Sequence, residues 1–308
     1  MTAGSAPWAR ALCDPTIPIV LLLLTLLAVA AEGALPAPSD QVAQKAHEER
    51  TKPLWEFGIA GGARYGPDYP ASDESHIRGL ALPYFIYRGE IFRMGDGSVA
   101  SIIPIESKWV ELDVSVDAAF DADSSKNKAR EGMHDLDYLL ELGPQLTVHL
   151  ARIDFASGAK GKLDLNLPAR AVFSTDVSSV AHRGYVFNPK IVYRHENLAG
   201  TSINVKTSVG GSWATEKLMD YFYEVRPQFA RPDRPEYDAS GGYVGARALL
   251  VVSWDLTESL RAHTGASFSY HRLATNESSP LFAVERTFAV GASLVWTLWE
   301  SERKVPSK

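Results

Sequence analysis

The sequence predicts an all-β fold: a closed antiparallel barrel that crosses a membrane with about twelve strands. Three observations carry that expectation. Strand-length segments alternate apolar and polar residues, the connections are long on one side and short on the other, and aromatic residues gather at both ends of the segments.

The first 33 residues read as a cleavable export signal. Arg10 supplies the positive start, and Ile17 to Ala31 is an apolar run interrupted by Pro18 and Thr25, with cleavage expected after Ala30, Ala31 or Gly33. A spanning helix needs about 20 apolar residues, and this run falls short. Cys13 precedes the run, so the mature chain has no cysteine, which excludes disulfides, thiolate nucleophiles and zinc–thiolate sites. Residues 34–53, rich in Ala, Pro, Gln, Glu and Lys, are expected to be a flexible periplasmic lead-in. Residues 54–299 form the barrel, and 300–308 a charged tail. The formal net charge of the whole chain is −6, which gives no electrostatic case for nucleic acid.

Period-two alternation recurs along residues 54–299. Leu163, Leu165, Leu167, Ala169, Ala171 and Phe173 alternate with Lys162, Asp164, Asn166 and Arg170. Val110, Leu112, Val114 and Val116 alternate with Glu111, Asp113, Ser115 and Asp117, and Ile203, Val205, Val209 and Trp213 with Asn204, Lys206, Ser208 and Ser212. Segments of a dozen residues suit a tilted bilayer crossing, and no second apolar run is long enough for a helix to make one.

The expected strands are 54–64, 79–88, 90–95, 98–103, 108–120, 136–152, 160–174, 184–195, 201–213, 241–255, 260–273 and 287–299, with a ten-strand count as the alternative. Loops 65–78, 121–135, 175–183, 214–240 and 274–286 fall on the outer side together with a tight turn at 95–97, and short turns fall on the periplasmic side. Trp55, Trp109, Trp254, Trp296 and Trp299 then sit at the periplasmic ends. Phe120, Tyr138, Phe173, Tyr185, Trp213, Tyr243, Tyr270 and Phe288 sit at the outer ends, so two girdles emerge from a strand count that did not use them.

No catalytic constellation follows from the histidines. His149, His263 and His271 point to the lumen among serines and acids, where no spacing singles out a nucleophile, and polar filling explains them. His149 and Glu141 would lie about 27 Å apart along one strand, too far to share a metal. Asp121-Ala122-Asp123-Ser124-Ser125 begins like a calcium loop, but Lys126 stands where the turn needs glycine. The chain is therefore read as no enzyme, without catalytic, cofactor-binding or metal residues. Lumen-facing acids on the strands within 108–150 are expected to pair with bases on those within 160–261 and to fill a narrow barrel.

The loop 214–240 is the candidate contact site. Tyr221, Phe222, Tyr223, Arg226 and Arg231 combine aromatics and arginines, the composition of sticky protein surfaces. The alternative is that Tyr221–Tyr223 fold inward and cap the barrel mouth, with the arginines meeting lumen acids.

Several segments carry a resemblance. They are Tyr65-Gly66-Pro67-Asp68-Tyr69-Pro70-Ala71-Ser72-Asp73-Glu74, Leu82-Pro83-Tyr84, Tyr87-Arg88-Gly89, Glu141-Leu142-Gly143, Asp220-Tyr221-Phe222, Tyr270-His271-Arg272-Leu273 and Ser279-Pro280-Leu281. In this order they resemble the MipA/OmpV family, outer-membrane proteins of Gram-negative bacteria named for a protein that interacts with a lytic transglycosylase. One departure is the charged stretch Glu300–Lys308 after Trp299, where members of the family commonly end on an aromatic residue. The resemblance implies a scaffold in the outer membrane, with membrane lipid and a murein hydrolase or synthase as partners. A narrow porin-like channel or a surface adhesin is the alternative it leaves open.

Overall fold

The computed structural model describes residues 51–89, 92–94, 101–102, 109–176 and 178–306. The expected export signal, the lead-in up to residue 50 and the turns expected at 95–97 and 104–107 lie outside the described residues.

The strands are β1 (Thr51–Pro53), β2 (Trp55–Pro67), β3 (Ser75–Arg88), β4 (Phe92–Met94), β5 (Ser101–Ile102), β6 (Val110–Ala119), β7 (Tyr138–Asp154) and β8 (Lys160–Thr175). They continue as β9 (Val180–Phe187), β10 (Lys190–Glu196), β11 (Asn204–Ala214), β12 (Gly242–Asp255), β13 (Leu260–Tyr270), β14 (Arg286–Glu300) and β15 (Lys304–Pro306). Among the described residues the one α-helix, α1 (Glu216–Tyr223), lies in the loop between β11 and β12.

Thirteen strands form one antiparallel sheet in the order β5-β4-β3-β2-β14-β13-β12-β11-β10-β8-β7-β6, with β9 between β8 and β11. β9 and β10 occupy one position, both flanked by β8 and β11. The chain breaks between them at Asn188 and Pro189, where proline has no N–H to give the ladder. With those two counted as one, the thirteen strands occupy twelve positions, as the sequence predicts. The first and last long strands, β2 and β14, are hydrogen-bonded neighbours. The path ends at β5 and β6, and no ladder between those two is found among the described residues.

The alternation places side chains as a bilayer demands. On β8, Asp164, Asn166 and Arg170 are buried toward the lumen, while the intervening leucines face outward. Leu142, Ile191, Val209, Val290 and Leu294 are large apolar residues exposed on the outer wall. So broad an apolar exterior is stable only in lipid. Among the described residues no helix is long and apolar enough to span a membrane, so the crossing is made by strands. Tyr65, Tyr138, Tyr185, Trp213 and Phe288 are exposed near the outer ends, and Trp109, Trp296 and Trp299 near the periplasmic ends. The ring of Trp299 stacks on Phe57 at 5.7 Å between centroids.

Phe120 departs from the girdle the sequence assigns it. The strand ends at Ala119, the period-two rule ends with it, and Phe120 lines the lumen beside Arg64 and Arg247.

At the periplasmic end, the last residues of the expected lead-in pair with the expected tail. β1 and β15 form an antiparallel pair, Thr51 opposite Pro306 and Pro53 opposite Lys304. The Leu54 amide donates to the Arg303 carbonyl at 2.8 Å. Arg88 is buried beside them and donates to Glu56 at 2.7 Å and to the Pro53 carbonyl at 2.9 Å.

Candidate functional site

The long loops fold into the mouth of the barrel. Tyr69 from the β2–β3 loop, Ala122 and Leu136 from the β6–β7 loop, and Leu281 from the β13–β14 loop pack against Leu218, Met219, Tyr223 and Val225 of the β11–β12 loop. Val172, Val186 and Val244 of the barrel rim belong to the same buried cluster. Burying one side chain such as Leu218 or Leu281 contributes roughly 1.5–3 kcal/mol.

Helix α1 is eight residues long, too short to be stable alone. Packing supplies its stability, since Leu218, Met219 and Tyr223 present one buried face to the plug. The sequence treats this segment as loop; the residues that drive the helix show no partner until the four loops meet.

Hydrogen bonds tie the loops to one another. Tyr69 donates its hydroxyl to the Leu281 carbonyl and Tyr223 to the Pro70 carbonyl, each at 2.7 Å. Ser279 Oγ donates to the Tyr223 carbonyl at 2.9 Å. Arg130, buried at 4 % exposure, donates to the Phe222 carbonyl at 3.1 Å. Asp68 accepts from His76 and from Asn127 Nδ2, each at 2.8 Å, and from Arg78. Burial on its own would raise the Asp68 carboxyl, but the hydrogen bonds from Arg78, Asn127 and His76 outweigh it and hold the group below its ordinary range.

The five candidate contact residues divide between this plug and its outer surface. Tyr223 is buried and Phe222 partly so. Tyr221 accepts the Asp137 amide at 2.6 Å beneath the Arg183 guanidinium, 4.3 Å from the ring centroid. Burial pushes its phenol up to about 12. Arg226 pairs with Glu224 at 2.9 Å, and Arg231 with Asp233 at 3.2 Å. These acids belong to the outer loops, so the arginines do not meet lumen acids as the capping alternative supposed. The calcium-like stretch is also part of the plug: Asp123 accepts the Ser125 amide at 2.9 Å, and Ser124 and Asn127 are buried.

Beneath the plug lies a lumen cavity of about 480 Å³, with Arg64, Arg78, Arg170, Lys190, Arg247, Asp117 and Glu141 in its wall. Acids and bases do pair, but between strands one or two apart along the same wall rather than across the lumen as the sequence suggests. Arg170 holds Glu141 at 2.9 Å and Asp117 at 3.7 Å, and Asp164 is held by Arg194 at 2.6 Å and His149 at 2.8 Å. Arg64, Lys190 and Arg247 have no ion pair among the described residues. Sequence reasoning missed this trio because alternation shows which residues face inward but not the stagger that decides which of them meet. His271 is buried and bonded to the Val244 carbonyl at 3.1 Å and to Thr287 Oγ1 at 3.0 Å, a structural role. Among the described residues no three metal-ligating side chains converge.

The sequence pattern of the family described as MltA-interacting protein MipA matches residues 59–298. No curated protein matches the chain in sequence. Solved structures similar to it include the CymD monoaromatic hydrocarbon channel, with 8% identity over 88% of this chain and 96% of that one and a TM-score of 0.33. Another is a bacterial polysaccharide outer membrane secretin, with 8% identity over 79% and 99% and a TM-score of 0.31. A third is the outer membrane protein OprG from Pseudomonas aeruginosa, with 9% identity over 80% and 94% and a TM-score of 0.19.

Proposed function

The chain belongs to the MipA family and is an outer-membrane β-barrel, and from that premise we propose that it is a scaffold rather than an enzyme, holding a peptidoglycan-remodelling enzyme at the inner face of the outer membrane. The observation that carries the reading is the plug. Four outer loops meet in the mouth around a shared buried cluster, which stands in the path of a solute. The free working surface is then periplasmic: the turns at 155–159, 197–203 and 256–259 and the β1–β15 pair. The family is named for an interaction with MltA, and a partner of that kind would reach these turns from the periplasm.

A photo-crosslinking residue at Ala199 or Glu258, against controls at Lys217 and Ser278, tests this in cells. Adducts with a murein hydrolase or synthase at the first two positions are expected. Adducts from the outer positions alone, or none at all, would overturn the scaffold.

A narrow channel is the second reading, favoured by the charged cavity below the plug. Planar-bilayer recordings decide it: steady nanosiemens conductance from the intact protein would favour the channel.

A further inference from the structure

We propose that the cavity beneath the plug binds a small organic anion, its carboxylate or sulfonate held by Arg64, Lys190 and Arg247 and its apolar body lodged under α1. The site is independent of the scaffold reading, and either can fail without the other.

The charge placement is the first observation. Arg64 on β2, Lys190 on β10 and Arg247 on β12 face one cavity. Lys190 and Arg247 stand on either side of Gly210, which is the register partner of both. Glycine puts no side chain of its own between them, and the Pro189 carbonyl and Lys190 close over the place where a Cβ would stand. Arg64 is flanked likewise by Gly291 on one side, with Arg78 on the other.

The second observation is that the nearby carboxylates are engaged elsewhere. Asp68 takes Arg78, His76 and Asn127, and Glu141 takes Arg170. Asp117 lies 3.7 Å from Arg170. Lys190 feels the charges of Asp117 and Glu141, yet neither forms an ion pair with it. Arg64 and Arg247 are close enough for their charges to repel, as are Lys190 and Arg247. The sole hydrogen bond described for the Arg247 side chain goes to Ser267 Oγ at 3.0 Å. Arg64, Lys190 and Arg247 line this cavity with no ion pair of their own among the described residues, and an anion there would gain charge-assisted hydrogen bonds and relieve the repulsion.

The third observation concerns shape and polarity. The roof is Leu218, Met219 and Phe222 from the plug. Phe120 and Leu249 line the wall and also border an adjoining space of about 340 Å³ along β13 and β14, lined too by Gly265 and Gly291. An inorganic ion would leave this apolar roof unused. A cavity of about 480 Å³ lies in the size range of small-molecule sites.

Calorimetric titration of the full mature protein, folded in detergent micelles, tests the site with benzoate as probe. Benzylamine is the cationic counterpart and inorganic phosphate the anion without an apolar body. Saturable one-to-one benzoate binding is expected, weakened about tenfold or more by R64Q, K190Q or R247Q. K217Q, on the exposed side of α1, should leave it unchanged. Heat-modifiable gel mobility reports whether each variant folds. R64K and R247K keep the charge and should keep most of the affinity, which separates loss of the site from loss of the fold. Absence of benzoate binding, equal binding of benzylamine, or full affinity in the glutamine variants overturns the proposal. Phosphate binding as tightly as benzoate overturns the apolar half of it.

Discussion

Tyr223 gives its hydroxyl hydrogen to the carbonyl oxygen of Pro70, 2.7 Å away and 153 residues earlier in the chain. The contact joins the end of α1 to the first outer loop at a point sealed from solvent, since Tyr223 is 1 % exposed. Tyr223→Phe leaves that carbonyl without its partner and should cost about 1–3 kcal/mol, felt by the plug and not by the barrel. Tyr223→Ala also empties the cluster and should cost about 3–5 kcal/mol. Amide hydrogen exchange would report the loss as reduced protection at 216–225 with protection of β7 and β8 unchanged.

The plug should loosen as the medium becomes less acidic. Burial, then the charges of Glu224, Glu216 and Asp238, push the Asp220 carboxyl up to about 6 from 3.8. Its Oδ1 is buried and has no hydrogen-bond partner. Between pH of about 4 and 6 the closed plug therefore binds more protons than the opened one, so its stability falls as pH rises through that window. Protection factors for α1 should be higher at pH 5 than at pH 7, and Asp220→Asn should flatten the difference. A pH dependence that survives in Asp220→Asn would assign it to another group.

Asp68 should be the most sensitive single position of the first loop. Its side chain is fully buried and that of Arg78 is 15% exposed. Asp68→Asn removes the charge facing Arg78, and breaking a buried pair costs about 3–5 kcal/mol. The variant should still insert as a barrel, while its loop 121–135, held through Asn127, becomes open to external protease.

On the lipid face the expectation is set by the bilayer. Leu294 lies between Phe288 at the outer end and Trp299 at the periplasmic end of β14, and is 49 % exposed. Leu294→Arg should destabilise the folded barrel in vesicles by about 2–4 kcal/mol, read by tryptophan fluorescence in urea. A change below ~1 kcal/mol would place Leu294 away from the hydrocarbon.

Orientation is checked by labelling. Single cysteines at Ser125, Lys217 and Ser278, all exposed, should react with an impermeant maleimide on intact cells, and one at Ala199 should not. The reverse pattern would invert the barrel.

The long strands were legible because a bilayer imposes a strict rule: Leu163, Leu165 and Leu167 must face one way, and Asp164 and Asn166 the other. Trp213, Tyr185 and Trp296 followed from the same count. Legibility ends where strands end. Phe120 turns inward one residue past β6, and Leu218 and Met219 become a helix face because Tyr69, Leu136 and Leu281 arrive from other loops. The unpaired trio was hidden for a related reason. Lys190 and Arg247 share a wall across Gly210 rather than facing acids over the lumen, and the stagger that puts them there leaves no trace in either segment alone.

The pairing of β1 with β15 has a mechanical meaning. Both strands leave the barrel at the same rim, and Thr51 lies opposite Pro306 at the open end of the pair. Tension that draws residue 50 away from residue 307 therefore peels the contact like a zip, one of its three register pairs at a time. Behind it, β2 meets β14 through ten register pairs, which the same tension reaches only once the three have opened. A pull on the chain ahead of Thr51 would thus open a weak clasp before any strain reached the membrane-embedded wall.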